Sequence, residues 1–266
     1  MGVKAALAGL LLGVTSMMAA EIIAHRGASF DAPENSLTAM KVAWEQGADA
    51  IETDIHLSKD GKIVVMHDAT LKRTAGVDRA VKDQVWAEMK DLDVGLWKGA
   101  QFRGEKLPTL ESIFATIPDG KAIYTEIKSK EPDLLPELGR LMKESGKKPE
   151  QLKIITFHYD VAKAAKAMFS RHEVYWLHDY KEDPGTKQLP TIENLISKAK
   201  AANLDGLDLN HRFPIDKSFV EKVHGAGLKL CTWTVDDAAI AKSEVAAGVD
   251  GITTNRPEWL RAQLKP

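Results

Sequence analysis

The residues best equipped for chemistry lie in one stretch, Ile22 to Asp68. It contains Ile22-Ile23-Ala24-His25-Arg26-Gly27, then Ala50-Ile51-Glu52-Thr53-Asp54-Ile55, then Lys62-Ile63-Val64-Val65-Met66-His67-Asp68. Each piece is a short apolar run with ionisable residues at or beside its C-terminal end. Runs of this length bounded by turn residues read as buried strands. Charged side chains at buried strand ends are costly to desolvate, so they have a partner or a task. Glu52 and Asp54 are two residues apart, which on a strand puts both on one face, about 7 Å apart along the chain. Asp60-Gly61 is a hairpin turn signal. A two-residue turn there pairs Lys59 with Lys62 and sets His67 opposite Asp54, so two carboxylates and an imidazole share one small volume.

A third carboxylate, Glu126, ends another apolar run, Ala122 to Ile127, with Lys128 just beyond it. Three carboxylates on one rim repel, and without a counter-charge one of them is driven to protonate. A divalent cation resolves this. Carboxylate ligation without sulfur favours a hard ion, Mg²⁺ or Ca²⁺, over zinc. The competing account is a salt-bridge network built on Arg26 and Lys128. His25 and His67 supply an acid/base pair near neutral pH. A lone histidine is usually structural, but two at strand ends beside three carboxylates form a constellation. Arg26 and Lys128 add fixed positive charge suited to an anionic substrate such as a phosphate ester. Metal, cations and two imidazoles together suit phosphoryl transfer, where positioning and charge stabilisation dominate.

Other templates fit poorly. The chain has no nucleophile-elbow serine, no phosphate-cradling glycine loop and no His-Glu-x-x-His run. A glycosidase would need two opposed carboxylates; Glu52 and Glu126 could pair so, but the histidines and cations would then be unexplained. Among the remaining polar residues, Asn35 reads as a helix cap, Asp68 as orienting His67 or closing a turn, and His56 as lying up the hairpin near solvent. Trp233 walls a substrate pocket or is core. Asn255 contacts substrate or caps the last helix.

These residues need a frame to bring them together. Strand candidates start near Ile22, Ala50, Ala122, Leu152, Glu173, Gly206, Leu228 and Gly251, with Lys62 to His67 as the return arm of a hairpin. Helical stretches separate them, including Ser36 to Gln46, Pro132 to Glu144, Tyr159 to Phe169, Thr191 to Ala202, Asp216 to Gly225 and Asp237 to Ala247. Gly47-Ala48-Asp49-Ala50-Ile51, Asn203-Leu204-Asp205-Gly206-Leu207 and Gly248-Val249-Asp250-Gly251-Ile252 each read as a helix end, a residue tolerant of the left-handed region, a tight loop and a new buried strand. Strands alternating with helices imply βαβ units and a parallel sheet. Eight such units close as an α/β (β/α)8 TIM-type barrel, whose chemistry sits at the C-terminal strand ends. Ala69 to Lys106 reads as an inserted excursion over the barrel after the second strand.

The 266 residues, 44% hydrophobic and 28% charged, are ordinary for a globular protein, and one barrel accounts for residues 21–266 as a single domain. A formal charge of −2 gives no reason to expect a nucleic-acid partner. Cys231 is the single cysteine, which excludes an intrachain disulfide and a cysteine-rich metal site. Residues 1–20, with Lys4, an apolar run and Ala19-Ala20, resemble a signal peptide and predict export to the periplasm or the medium. The segment is short for a membrane span, so no stable membrane insertion is expected. The alternative for it is a helix plugging one end of the domain.

The motifs taken together resemble the glycerophosphodiester phosphodiesterase family. The match includes His25-Arg26-Gly27, Pro33-Glu34-Asn35-Ser36, Glu52-Thr53-Asp54-Ile55, Val65-Met66-His67-Asp68, Glu126-Ile127-Lys128, Thr232-Trp233-Thr234-Val235 and Asp250-Gly251-Ile252-Thr253-Thr254. They run in family order over nearly the whole chain after residue 20. The resemblance implies a TIM-type barrel that cleaves a small-molecule glycerophosphodiester into sn-glycerol 3-phosphate and an alcohol. It implies that Glu52, Asp54 and Glu126 bind the cation, His25 and His67 act as acid and base, and Arg26 and Lys128 hold the phosphate. It also implies attack by the glycerol 2-hydroxyl, giving a cyclic phosphate that water opens. Asn255 departs from the family pattern, which usually has Asp there. Two other readings are a phospholipase D-like activity on lysophospholipid or sphingolipid, favoured by an apolar groove near Phe102, Trp97 and Trp233, and a catalytically silent binding barrel. Neither the leaving alcohol nor the oligomeric state is encoded in any of these features.

Overall fold

A computed structural model describes residues 20–265, so most of the proposed signal segment lies outside the described residues. Nine strands occur: β1 (Glu21–Ala24), β2 (Ala50–Leu57), β3 (Ile63–Val65), β4 (Ala122–Ile127), β5 (Leu152–Thr156), β6 (Val174–His178), β7 (Gly206–Asn210), β8 (Lys229–Trp233) and β9 (Gly251–Thr254). All except β3 pair in parallel, in the order β1-β9-β8-β7-β6-β5-β4-β2, and β2 pairs back onto β1 to close an eight-stranded barrel. The expected strand starts fall within a residue or so of the observed ones.

Helices between the strands carry their apolar stripes inward. Leu135–Glu144 buries Leu135, Leu138, Leu141 and Met142, the i, i+3, i+4 spacing of one helix face. Gly47, Asn203 and Gly248 adopt the left-handed conformation, each just after a helix, as the recurring loop pattern requires. The first expected helix is capped one residue later than anticipated. Ser36, not Asn35, is the N-cap of Leu37–Glu45, and its hydroxyl accepts from the Ala39 N–H.

The hairpin differs from expectation in a way that bears on the site. Ser58 pairs with Lys62 around a three-residue loop closed by Gly61 at φ +81°, so Ile55 lies opposite Val65 and Leu57 opposite Ile63. This is one residue out from a two-residue turn, and Asp54 faces Met66 rather than His67, the Met66 N–H donating to the Asp54 carbonyl. A one-residue slip reverses every side chain of a strand. His67 nevertheless reaches the site, because β3 stops at Val65 and the chain after it leaves the pleat. The free edge that β3 occupies exists because β1 ends at Ala24, leaving β2 unpaired on that side beyond Ile51.

The segment after β3 forms its own small core. Leu71, Val81, Met89, Val94 and Leu107 pack with Val64 and Met66 of the hairpin. Thr38 ties this excursion to the first barrel helix, its hydroxyl donating to Glu105 at 2.6 Å. At the opposite, N-terminal end of the barrel, Lys153 donates to Glu21 and to the Tyr124 hydroxyl, both at 2.8 Å. A polar plug at that end is a stability feature of such barrels.

One buried acid inside the frame yields a stability prediction. Glu244, on the helix Ala238–Ala247, accepts a hydrogen bond from Thr232 of β8 through one oxygen, while its other oxygen is buried with no partner among the described residues. Burial pushes its carboxyl up to about 7. A folded-state value above the unfolded one means its stabilising contribution is complete below about pH 4.5 and is lost as pH rises through 7. Glu244→Gln is therefore expected to raise Tm at pH 8 by roughly 2–6 °C, corresponding to about 1–2 kcal/mol. The gain should shrink toward pH 4.5. Thermal scans at both pH values check this, and a lower Tm in the variant at pH 8 would refute it.

Candidate active site

The C-terminal rim of β1, β2 and β4 gathers the ionisable residues. Glu52, Asp54 and Glu126 are 3%, 1% and 8% exposed, and one carboxylate oxygen from each lies within 4.8 Å of the others. The register explains the convergence: Asp54 on β2 pairs with Glu126 on β4, and Glu52 precedes Asp54 by one pleat repeat on the same face. Arg26, at φ +55°, turns its backbone N–H onto Glu52 Oε2 at 2.8 Å. Gly27 follows at φ +78°, where a Cβ would lie 2.6 Å from the Ala39 backbone. Only glycine lets β1 turn so tightly over the first helix.

The cluster is crowded with charge of both signs. Lys128 Nζ lies 2.8 Å from Asp54 and 2.7 Å from Glu126, and Arg26 Nε lies 3.4 Å from Asp54. Burial opposes ionisation of Asp54, but Lys128 and Arg26 outweigh it and hold its carboxyl well below the usual carboxylate range. Burial, with Asp54 beside it, pushes Glu126 up to about 7. Burial and the negative charges of Asp54 and Glu126 push Glu52 well above the ordinary glutamate value. Glu52 Oε1 is fully buried and accepts no hydrogen bond among the described residues. Two basic side chains therefore do not satisfy three carboxylates. An unsatisfied oxygen within a compact set of hard oxygen donors fits a divalent cation, and the salt-bridge account alone leaves that oxygen unexplained.

Asn35, which in the sequence looks like a helix cap, is a positioning residue for Asp54. Its side chain donates to Asp54 Oδ2 at 2.7 Å and accepts from the Thr53 hydroxyl at 2.8 Å and the Asp54 N–H at 3.2 Å. Asn35→Ala frees the buried carboxylate of Asp54, one of the three candidate ligands for a cation. Partners of this kind are worth about 10- to 100-fold in metal affinity. Titration of activity against added metal should show that loss with little change at saturation; an unchanged metal requirement would sink the assignment.

The two histidines face the pocket from opposite supports. His25 Nδ1 lies 2.7 Å from Asn255 Oδ1, which also accepts from the Ser29 hydroxyl, while the Asn255 amide nitrogen donates to Asp236. Asp236 thus fixes the Asn255 oxygen toward His25, so Nδ1 carries the proton and Nε2 is bare. Burial and the neighbouring Arg26 push His25 down to about 4, so it is neutral at pH 7. His67 Nδ1 instead meets the carboxylate of Asp68 at 2.8 Å, and Arg73 holds that carboxylate through Nε and Nη2. Burial lowers His67 as well, with Asp54 and Asp68 opposing. His56 is half-buried rather than near solvent, and its Nε2 lies 3.2 Å from the His67 carbonyl.

One pocket collects His25, Arg26, Glu52, His67, Glu126, Lys128 and Trp233, with Asp54 immersed beneath it in the same carboxylate cluster. Trp233 is a wall of this pocket, its ring edge-on to Phe157 at 5.4 Å and its Nε1 donating to the Asp208 carbonyl. Ile155, Phe157, Leu177 and Asp208 complete the wall from β5 to β7. Asp208 lies mid-strand rather than at a strand end, so the only signal for it in the sequence is a charged residue alternating inward in the apolar run Gly206–Asn210. The groove near Phe102, Trp97 and Trp233 that would favour a lysolipid substrate is not found among the described residues: Trp97 lines a neighbouring hollow with Phe30, Glu34 and Lys98, which shares only His25 and Arg26 with the pocket that Trp233 walls.

A closed parallel barrel with a carboxylate cluster, paired histidines and two cations at its C-terminal rim defines a TIM-barrel hydrolase built to take a divalent cation and an anionic ester. The glycerophosphoryl diester phosphodiesterase family matches residues 25–259, and the chain belongs to that family. A glycerophosphodiester phosphodiesterase of Caldanaerobacter subterraneus subsp. tengcongensis is 36% identical over 90% of this chain and 95% of its own. An Oleispira antarctica phosphodiesterase, solved in complex with its product sn-glycerol-3-phosphate, superposes with a TM-score of 0.81 at 27% identity, covering 92% of this chain and 97% of that one. The Thermotoga maritima glycerophosphodiester phosphodiesterase gives 0.74 at 28% identity, covering 92% and 98%.

Proposed function

We propose that the chain hydrolyses glycerophosphodiesters to sn-glycerol 3-phosphate and an alcohol, with Mg²⁺ or Ca²⁺ held by Glu52, Asp54 and Glu126. The observation that carries this reading is the carboxylate cluster with two imidazoles lining the same pocket. When bound, the cation supplies charge stabilisation at the phosphoryl oxygens and lowers the pKa of an oxygen it touches. Arg26 and Lys128 bind and orient the phosphate, and their charge strengthens as substrate excludes water. The bare Nε2 of His25 takes the proton of the glycerol 2-hydroxyl as its oxygen bonds to phosphorus. His67, whose imidazolium the Asp68 carboxylate supports, gives its proton to the departing alkoxide as the P–O bond breaks. Water then opens the cyclic phosphate with the two histidines exchanging roles. The pocket measures about 150 Å³, suited to a glycerol phosphate head rather than an acyl chain.

The test is release of sn-glycerol 3-phosphate from glycerophosphocholine, with and without chelator, beside lysophosphatidylcholine. Chelator-sensitive cleavage of the first substrate is expected. Turnover indifferent to chelator, or confined to the lysolipid, would overturn the reading. Export completes it: the apolar, lysine-led segment ahead of Glu21 supports a cleaved signal before a single barrel domain, and N-terminal sequencing of secreted protein checks it. Among the described residues no helix is long and apolar enough to cross a membrane.

A further inference from the structure

The pocket has two unlike halves. The half formed by β1, β2, β4 and the loop after β3 carries His25, Arg26, Glu52, His67, Glu126 and Lys128. The half formed by β5 to β9 is largely apolar, and among the described residues its single ionisable side chain is Asp208. Asp208 is 2% exposed, its Oδ1 is completely buried, and neither carboxyl oxygen makes a hydrogen bond within the described residues. On the barrel wall it sits between Leu177 of β6 and Cys231 of β8, neither of which offers it a counter-charge. It lies outside the group of carboxylates close enough to share a cation.

A buried, unpartnered carboxyl costs stability, and an apolar residue of similar volume would serve the barrel wall better. The pocket-facing position suggests what offsets that cost. Arg26 and Lys128 draw the phosphate to their own side, and the lining of the other side holds no cation to compete for it. What remains of a glycerol phosphate to reach the apolar half is the carbon chain, which suits Ile155, Phe157, Leu177 and Trp233, and its hydroxyls, which need a polar partner.

We propose that Asp208 recognises the glycerol moiety by hydrogen-bonding its free terminal hydroxyl. This rests on the phosphodiesterase reading above, in which the 2-hydroxyl is engaged by His25 and the terminal hydroxyl is the one left over. Burial and the charge of Glu126 push the carboxyl up to about 8, so near neutrality it both donates and accepts. A site that holds a hydroxyl in this way rejects analogues lacking it, because its own buried group is then left unpaired. Asp208 thereby selects glycerol esters over simple alkyl phosphodiesters.

The test measures calorimetric affinity of the metal-loaded protein for sn-glycerol 3-phosphate and for methyl phosphate, which carries the same anionic head and no hydroxyl. Asp208→Leu should weaken sn-glycerol 3-phosphate about tenfold or more and change methyl phosphate less than about twofold, with Tm equal or higher. Asp208→Asn, which keeps a donor and an acceptor, should stay within about threefold of the parent for both. An Asp208→Leu protein that binds sn-glycerol 3-phosphate as tightly as the parent would overturn the proposal. So would an equal loss for both anions, or a lower Tm accompanying the loss, since either assigns Asp208 to the frame. Failure of the parent protein itself to bind sn-glycerol 3-phosphate or cleave its diesters would instead bring down the functional reading, and this inference with it.

Discussion

Glu52→Gln is expected to lower kcat about a thousandfold while raising the Tm of the metal-free protein. The first effect follows from the proposed metal site, where the substitution removes a charged ligand from a cation asked to supply several kcal/mol of charge stabilisation. The second follows from the crowding at the rim. Glu52 sits buried beside Asp54 and Glu126, and burial together with their charges makes its ionisation unfavourable. Glutamine keeps an oxygen for the Arg26 N–H and removes one like charge. Thermal scans with and without Mg²⁺ or Ca²⁺ separate the two contributions. The parent protein should gain stability on adding the ion, because only the folded state assembles the site, and the variant should gain little. A metal-free variant that melts below the parent would refute the electrostatic account. A variant retaining most of the parent's kcat would refute the ligand assignment.

His67→Ala is expected to cost about 10²- to 10⁴-fold in kcat on glycerophosphocholine, the range of a lost general acid or base. The size should depend on the leaving group. An alkoxide such as choline's needs a proton as it departs, whereas p-nitrophenolate leaves without one. On a glycerol 3-phosphate ester of p-nitrophenol, His67→Ala should therefore recover most of the lost rate in the first-turnover release of p-nitrophenolate, while opening of the cyclic phosphate, where His67 is the base, stays slow. His25→Ala should not recover, because the attacking hydroxyl must lose its proton whichever group departs. The asymmetry rests on what stands behind each ring: the Asp68 carboxylate, gripped by Arg73, behind His67, and the neutral Asn255 amide behind His25. Equal losses for both variants on both substrates would refute the division of roles.

The local signals in the chain determined most of the frame. Apolar runs ended by charged residues placed eight parallel strands within a residue or so of their positions, and the glycine or asparagine after each of three helices marked the αβ turns. The same signals named His25, Arg26, Glu52, Asp54, His67, Glu126, Lys128 and Trp233, which the barrel brings to one pocket or directly beneath it. Such features are legible because they depend on side-chain periodicity and backbone sterics within a few residues.

What only the tertiary structure decided was register and company. Asp60-Gly61 signals a tight turn, but whether two or three residues span it depends on the hydrogen bond that Ser58 finds with Lys62. That choice shifted the hairpin by one residue, and His67 faces the pocket because the strand ends early. Asn35 looks like any helix cap until Thr53 and Asp54 of β2 arrive beside its turn. Asn255 directs its oxygen at His25 because Asp236, nineteen positions earlier, holds its amide. Asp208 is an unremarked acid in an apolar run until barrel closure sets it across from Glu126 with no partner of its own. These facts depend on contacts between residues distant in the chain, whose energies enter only when the sheet closes on itself, and no local pattern carries them.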